Sequence, residues 1–87
     1  MNFYIAKIVY RIICGEGDHT AQFDVQLRLV CALGEEQAFY KARHYAKKEE
    51  DFFYNEKDEL VQWQFINVSE LQKIEKIADG VQVIFTH

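Results

Sequence analysis

Across residues 3–13 apolar side chains occupy every even position, Tyr4, Ala6, Ile8, Tyr10 and Ile12, as a strand with one buried face requires. The odd positions Phe3, Ile5, Lys7, Val9, Arg11 and Ile13 mix apolar with basic residues, so the second face is partly covered too. A strand apolar on both faces belongs in the middle of a sheet. Two glycines and short polar residues interrupt the pattern at residues 15–20, as a hairpin loop does. Beyond it Phe23, Val25, Leu27, Leu29, Cys31 and Leu33 alternate with Asp24, Gln26, Arg28 and Val30, which reads as a strand with one wet face.

Gly34 then precedes Glu35, Glu36 and Gln37, where a helix N-terminus favours negative charge and an early Gln or Glu can reach back to the cap. A helix of about 17 residues is predicted from here. Ala38, Phe39, Ala42, Tyr45, Ala46, Phe52 and Phe53 lie at roughly helical spacing, and Lys41, Arg43, Lys47 and Lys48 face water. The charged run at residues 47–51 reads as a solvated face closing the helix. After a turn at residues 55–58, Val61, Trp63 and Phe65 alternate with Gln62 and Gln64 as a third strand. Its apolar parity then shifts to Ile66, Val68, Leu71 and Ile74, which predicts a bulge near Asn67 or Ser69. Asp79 and Gly80 signal a turn before Val81, Val83 and Phe85, the last strand, expected to pair with the third.

The element order is ββαββ, and the fold class is α+β. A right-handed helical crossover that skips the first strand gives a four-stranded antiparallel sheet of order 2-1-3-4 with one long helix on one face. With 87 residues the chain supports a single domain over residues 1–87. Surface scaling buries about 64% of its unfolded area, enough for an independent core.

Seven Phe, five Tyr and one Trp in so short a chain either fill the core or reach a partner. The net charge of -4 repels phosphates and anionic lipid head groups, so neither a nucleic-acid nor a membrane partner is expected. No apolar run approaches a membrane span, and the first residues lack the basic-then-apolar order of a signal peptide, which places the chain in the cytoplasm. There Cys14 and Cys31 are expected to stay reduced and unpaired.

The loop containing Glu16, Asp18 and His19, with Arg11 and Asp24 across the hairpin, is the richest in functional atoms. An imidazole and carboxylates can bind a divalent ion or move a proton. Such groups are also ordinary in any polar turn, and no helical ligand pair accompanies them. His44 reads as an exposed helix residue, and His87 is uninformative. The sequence contains no phosphate-binding glycine loop, paired-cysteine metal site, nucleophile elbow or dinucleotide fingerprint, so no cofactor and no metal is expected.

The segments Phe3-Tyr4-Ile5-Ala6-Lys7, Arg11-Ile12-Ile13-Cys14-Gly15-Glu16-Gly17-Asp18-His19, Glu35-Glu36-Gln37-Ala38, Trp63-Gln64-Phe65 and Asp79-Gly80 together resemble a family of short bacterial proteins known as domain of unknown function 4288. The resemblance spans nearly the whole chain and implies a bacterial stand-alone domain. It transfers no catalytic or binding residue.

Acidity, the aromatic excess and the lack of a convergent catalytic set point to a non-enzymatic protein-interaction module. Its expected partner is itself, as a homodimer, with a basic protein as a further candidate. The alternative is a small ligand-binding domain or enzyme using Glu16, Asp18 and His19 with Arg11. The homodimer follows from an area mismatch: a helix about 10 Å wide cannot cover four strands some 15–19 Å across. Phe3, Ile5, Val9 and Ile13 alternate onto the uncovered face and form the expected interface. The competing expectation is that residues 52–54 fold over that face and cap it within one chain.

Overall fold

The computed structural model describes residues 1–16, 20–75 and 79–80. They form β1 (Asn2–Cys14), β2 (Gln22–Ala32), α1 (Glu35–Lys48), β3 (Asp51–Tyr54) and β4 (Leu60–Ile74). The four strands make one antiparallel sheet in the order β2-β1-β4-β3, so the α+β class holds and β1 is central.

The even residues of β1 carry the core. Tyr4, Ala6, Ile8 and Tyr10 are buried beneath α1, which meets them with Ala38, Ala42 and Ala46, a row spaced four apart. Alanine there brings the helix axis close to the sheet without a gap. Glu35 and Glu36 sit in the first turn, Lys47 and Lys48 in the last, each complementing the helix dipole. Gln37 reaches back one residue past the Gly34 cap, where its Oε1 accepts the Leu33 N–H at 2.7 Å.

The helix is shorter than expected, at 14 residues. Its alanine row has no apolar successor after Ala46, because Glu49 and Glu50 follow, and the chain leaves the helix at Glu49. Phe52, Phe53 and Tyr54, read from sequence as the helix end or as a cap, form the edge strand β3 instead. Aromatic residues suit a pleated surface better than an unsupported last turn. They pair with β4 from Gln62 to Leu60 and stay exposed, so they do not fold over the open face. The expected order 2-1-3-4 is thereby corrected to 2-1-4-3. The strand expected third is β4 and does lie beside β1, but β3, missed in the sequence, takes the edge. The strand expected at Val81, Val83 and Phe85 lies outside the described residues.

β4 follows β1 through two register shifts, which leave Ser69 and Ile66 without direct partners. Each is a bulge of one extra residue. Together they turn a period of two into a period of three, so that Phe65, Val68 and Leu71 all face the core beside Tyr10, Ile8 and Ala6. Of the residues that mark the parity shift in the sequence, Val68 and Leu71 face the core, whereas Ile66 is exposed at a bulge and Ile74 stands opposite Phe3 on the other face.

Candidate functional site

The hairpin register decides what β2 shows to solvent. Asn2 faces Ala32, Tyr4 faces Val30, Ala6 faces Arg28, Ile8 faces Gln26 and Tyr10 faces Asp24. Directly opposed residues share a face of the sheet, so the even residues of β2 lie on the helix side. The apolar odd residues are left on the other side, which α1 does not cover. Phe23 is 58% exposed, Val25 50%, Leu27 62% and Leu29 55%. The face of β2 read as wet is therefore the one turned toward the helix, and the apolar stripe is turned outward.

Polar residues on the helix side are satisfied at the margin of α1. Gln26 Nε2 donates to Asp24 Oδ2 at 2.8 Å. Arg28 pairs with Glu49 just past the helix end, and its guanidinium lies 5.9 Å from the centre of the Tyr45 ring. Near the start of α1, Lys41 Nζ donates to the Cys31 carbonyl. The central tyrosine is held likewise: Tyr10 donates its hydroxyl to the Ala46 carbonyl at 2.7 Å. Burial, reinforced by the nearby Glu49 carboxylate, pushes the Tyr10 phenol above its ordinary value.

The open face divides along β1. On the β2 side, Phe3, Ile5 and Val9 stand opposite Cys31, Leu29 and Val25. On the β4 side they stand opposite Ile74, Gln72 and Asn67, and Gln62, Gln64 and Glu70 continue a mostly polar row. Lys7 approaches Glu70 at 4.0 Å on this face. Phe3, Ile5, Val9 and Ile13 all lie on the open face, but they are less exposed than Phe23, Val25, Leu27 and Leu29 of β2. Sequence reasoning omitted those β2 residues. Naming them requires the register, which pairs even with even and so points Asp24, Gln26 and Arg28 to the helix side.

Among the described residues the candidates for chemistry do not gather. Arg11 stands on the open face between Phe23 and Gln64, with its Nε buried and unpaired among the described residues. Asp24 lies on the opposite face. Glu16 is exposed in the turn after β1, and Asp18 and His19 lie outside the described residues. His44 is exposed on α1. Cys14 and Cys31 form no disulfide with each other and lie at opposite ends of the β1 ladder, Cys14 against Val61 and Cys31 against Phe3. Two shallow grooves, one lined by Glu35, Glu36, Phe39, Tyr40 and Leu71 and one by residues 50–52 and 62–64, include neither Arg11 nor Glu16. Among the described residues no helix is long and apolar enough to cross a membrane.

A family model described as Domain of unknown function (DUF4288) matches residues 3–84. No curated protein and no solved structure matches the chain. The match takes in every strand and the helix, and the chain belongs to this family.

Proposed function

We propose that this member of a family of unknown function is a non-enzymatic protein-interaction module that works as a homodimer, with the second copy meeting the outer strand β2 of the sheet. The observation that most supports this is the outward apolar stripe of β2, Phe23, Val25, Leu27 and Leu29. A contiguous apolar patch of roughly 300–600 Å² is the largest a typical monomer shows, and such patches commonly mark contact sites. A second copy offers the same stripe, and a two-fold contact places like against like, which suits apolar surfaces. The setting of Arg11 among Phe23, Val9 and Ile13 fits the rim of a contact better than a catalytic group. A cytoplasmic location, with Cys14 and Cys31 held as thiols, fits the same reading.

Sedimentation equilibrium on the purified protein tests it. The expected species at tens of micromolar has about twice the chain mass of 10.3 kDa and dissociates on dilution. A mass that stays at the single-chain value across that range overturns the homodimer.

A further inference from the structure

We propose that the second copy docks edge to edge, β2 against β2, antiparallel about a two-fold axis passing through Gln26. This rests on the homodimer reading and specifies its geometry. Among the described residues β2 ends the sheet, so one row of its backbone N–H and C=O groups has no strand beside it. Such an edge is a template for another strand.

The sequence of that edge is self-complementary. Residues 23–29 read apolar, acid, apolar, amide, apolar, base, apolar. Reversed about Gln26, the run sets Asp24 against Arg28 of the second copy and Arg28 against its Asp24. Phe23 then meets Leu29 and Val25 meets Leu27. The faces agree as well, because Asp24 and Arg28 share the helix side while the four apolar residues share the open side. Moving the axis to Val25 or Leu27 sets each charge against an uncharged residue, and moving it to Asp24 or Arg28 sets like charges together. Placing it between two residues sets apolar side chains against polar ones. The Gln26 register alone satisfies both rows.

The surroundings of the edge suit this register. Glu49 and the Tyr45 ring hold Arg28 at the sheet margin, and a guanidinium carries five donors, more than one carboxylate uses. Lys41 takes up the Cys31 carbonyl two residues past the run that pairs, so the new ladder is bounded where α1 meets the edge. The joined sheet brings the two apolar stripes side by side, each contributing Phe23, Val25, Leu27 and Leu29.

The test compares wild type, Asp24→Lys, Arg28→Glu and an equimolar mixture of the two variants by sedimentation equilibrium, with circular dichroism as the check on folding. Each variant alone opposes like charges at two symmetric positions and is expected to dimerise about tenfold more weakly or worse. In the mixture every opposed pair is again acid against base, and the heterodimer is expected to recover wild-type strength. A third variant, Gln26→Cys, leaves both charges in place. Opposed residues about 4.5–5.5 Å apart at Cα are within disulfide range, so mild oxidation is expected to link this variant to itself and not to link wild type. If wild type dimerises but the single variants associate equally well, or the folded mixture does not recover, or Gln26→Cys does not cross-link, the edge register is wrong while the homodimer stands. If wild type stays monomeric, both readings fall.

Discussion

The two faces of the sheet are built from the same strands by opposite rules. On the helix side the apolar residues of β1 are sealed by alanines, and the neighbouring β2 contributes polar side chains that settle at the rim with Glu49, Tyr45 and one another. On the open side β1 is only half covered, and β2 contributes its four most exposed apolar residues. Composition does not separate these faces, since both contain aliphatic residues. Placement does: α1 spans about 21 Å of a strand pair about 40 Å long and lies on one side of it. Burial is thus decided by where the helix lands, and hydrophobicity alone is a poor guide to which side is the core.

The sharpest way to break the comparison is to truncate each face in turn. Ile8 is fully buried under α1 between Gln26 and Val68. Ile8→Ala removes its contacts and leaves a cavity that close-packed alanines cannot fill, so a loss of roughly 2–5 kcal/mol is expected. Against a total stability of about 5–15 kcal/mol, this lowers the urea midpoint far enough to be unmistakable. A loss within about 0.5 kcal/mol would mean that α1 does not seat on the even face of β1.

Tyr10 sharpens the same side by chemistry. Tyr10→Phe keeps the ring against Phe65 but removes the hydroxyl bond to the Ala46 carbonyl, which keeps only the Glu49 N–H, at an expected cost of roughly 0.5–1.5 kcal/mol. The phenol also gives the fold a pH dependence. Burial holds its folded pKa above the ordinary 10.0 of a tyrosine, so between the unfolded and folded values the native state holds a proton that the unfolded chain has lost. The contribution is complete below pH 10 and is lost as pH rises through the folded value. Urea titrations from pH 8 upward are expected to show wild type losing stability above pH 10 more steeply than Tyr10→Phe, and parallel curves would refute the assignment.

Much of this architecture is legible in the chain, and the exceptions have physical causes. The even stripe of β1, its central place, its end at Cys14 and the acidic helix start each follow from local patterning that tertiary structure then respects. The shift of parity in β4 was visible too, because a bulge leaves its mark on apolar spacing. The edge strand β3 was not, since Phe52 and Phe53 satisfy a helical spacing almost as well as a strand, and only the missing apolar successor to Ala46 argues against continuing the helix. The open-face residues of β1 could be named from alternation alone. Those of β2 required the register, because a strand with one apolar stripe looks the same whether that stripe faces the helix or the solvent.

Leu27 supplies the converse test, with the smallest effect on the fold. It lies on the open face opposite Lys7 and is 62% exposed, so most of its surface stays in water when a single chain folds. Leu27→Gln therefore forfeits little burial, and with the protein diluted to the monomer its urea midpoint is expected within about 0.5 kcal/mol of wild type. Raising the concentration changes the comparison. Where wild type dimerises, mass action adds stability to the native state, and Leu27→Gln is expected to gain less of it because the side chain meeting Val25 of the second copy is now polar. The two curves should coincide when dilute and separate when concentrated. A midpoint depressed equally at every concentration would place Leu27 in the core of the single chain, and the distinction between the two faces would fail.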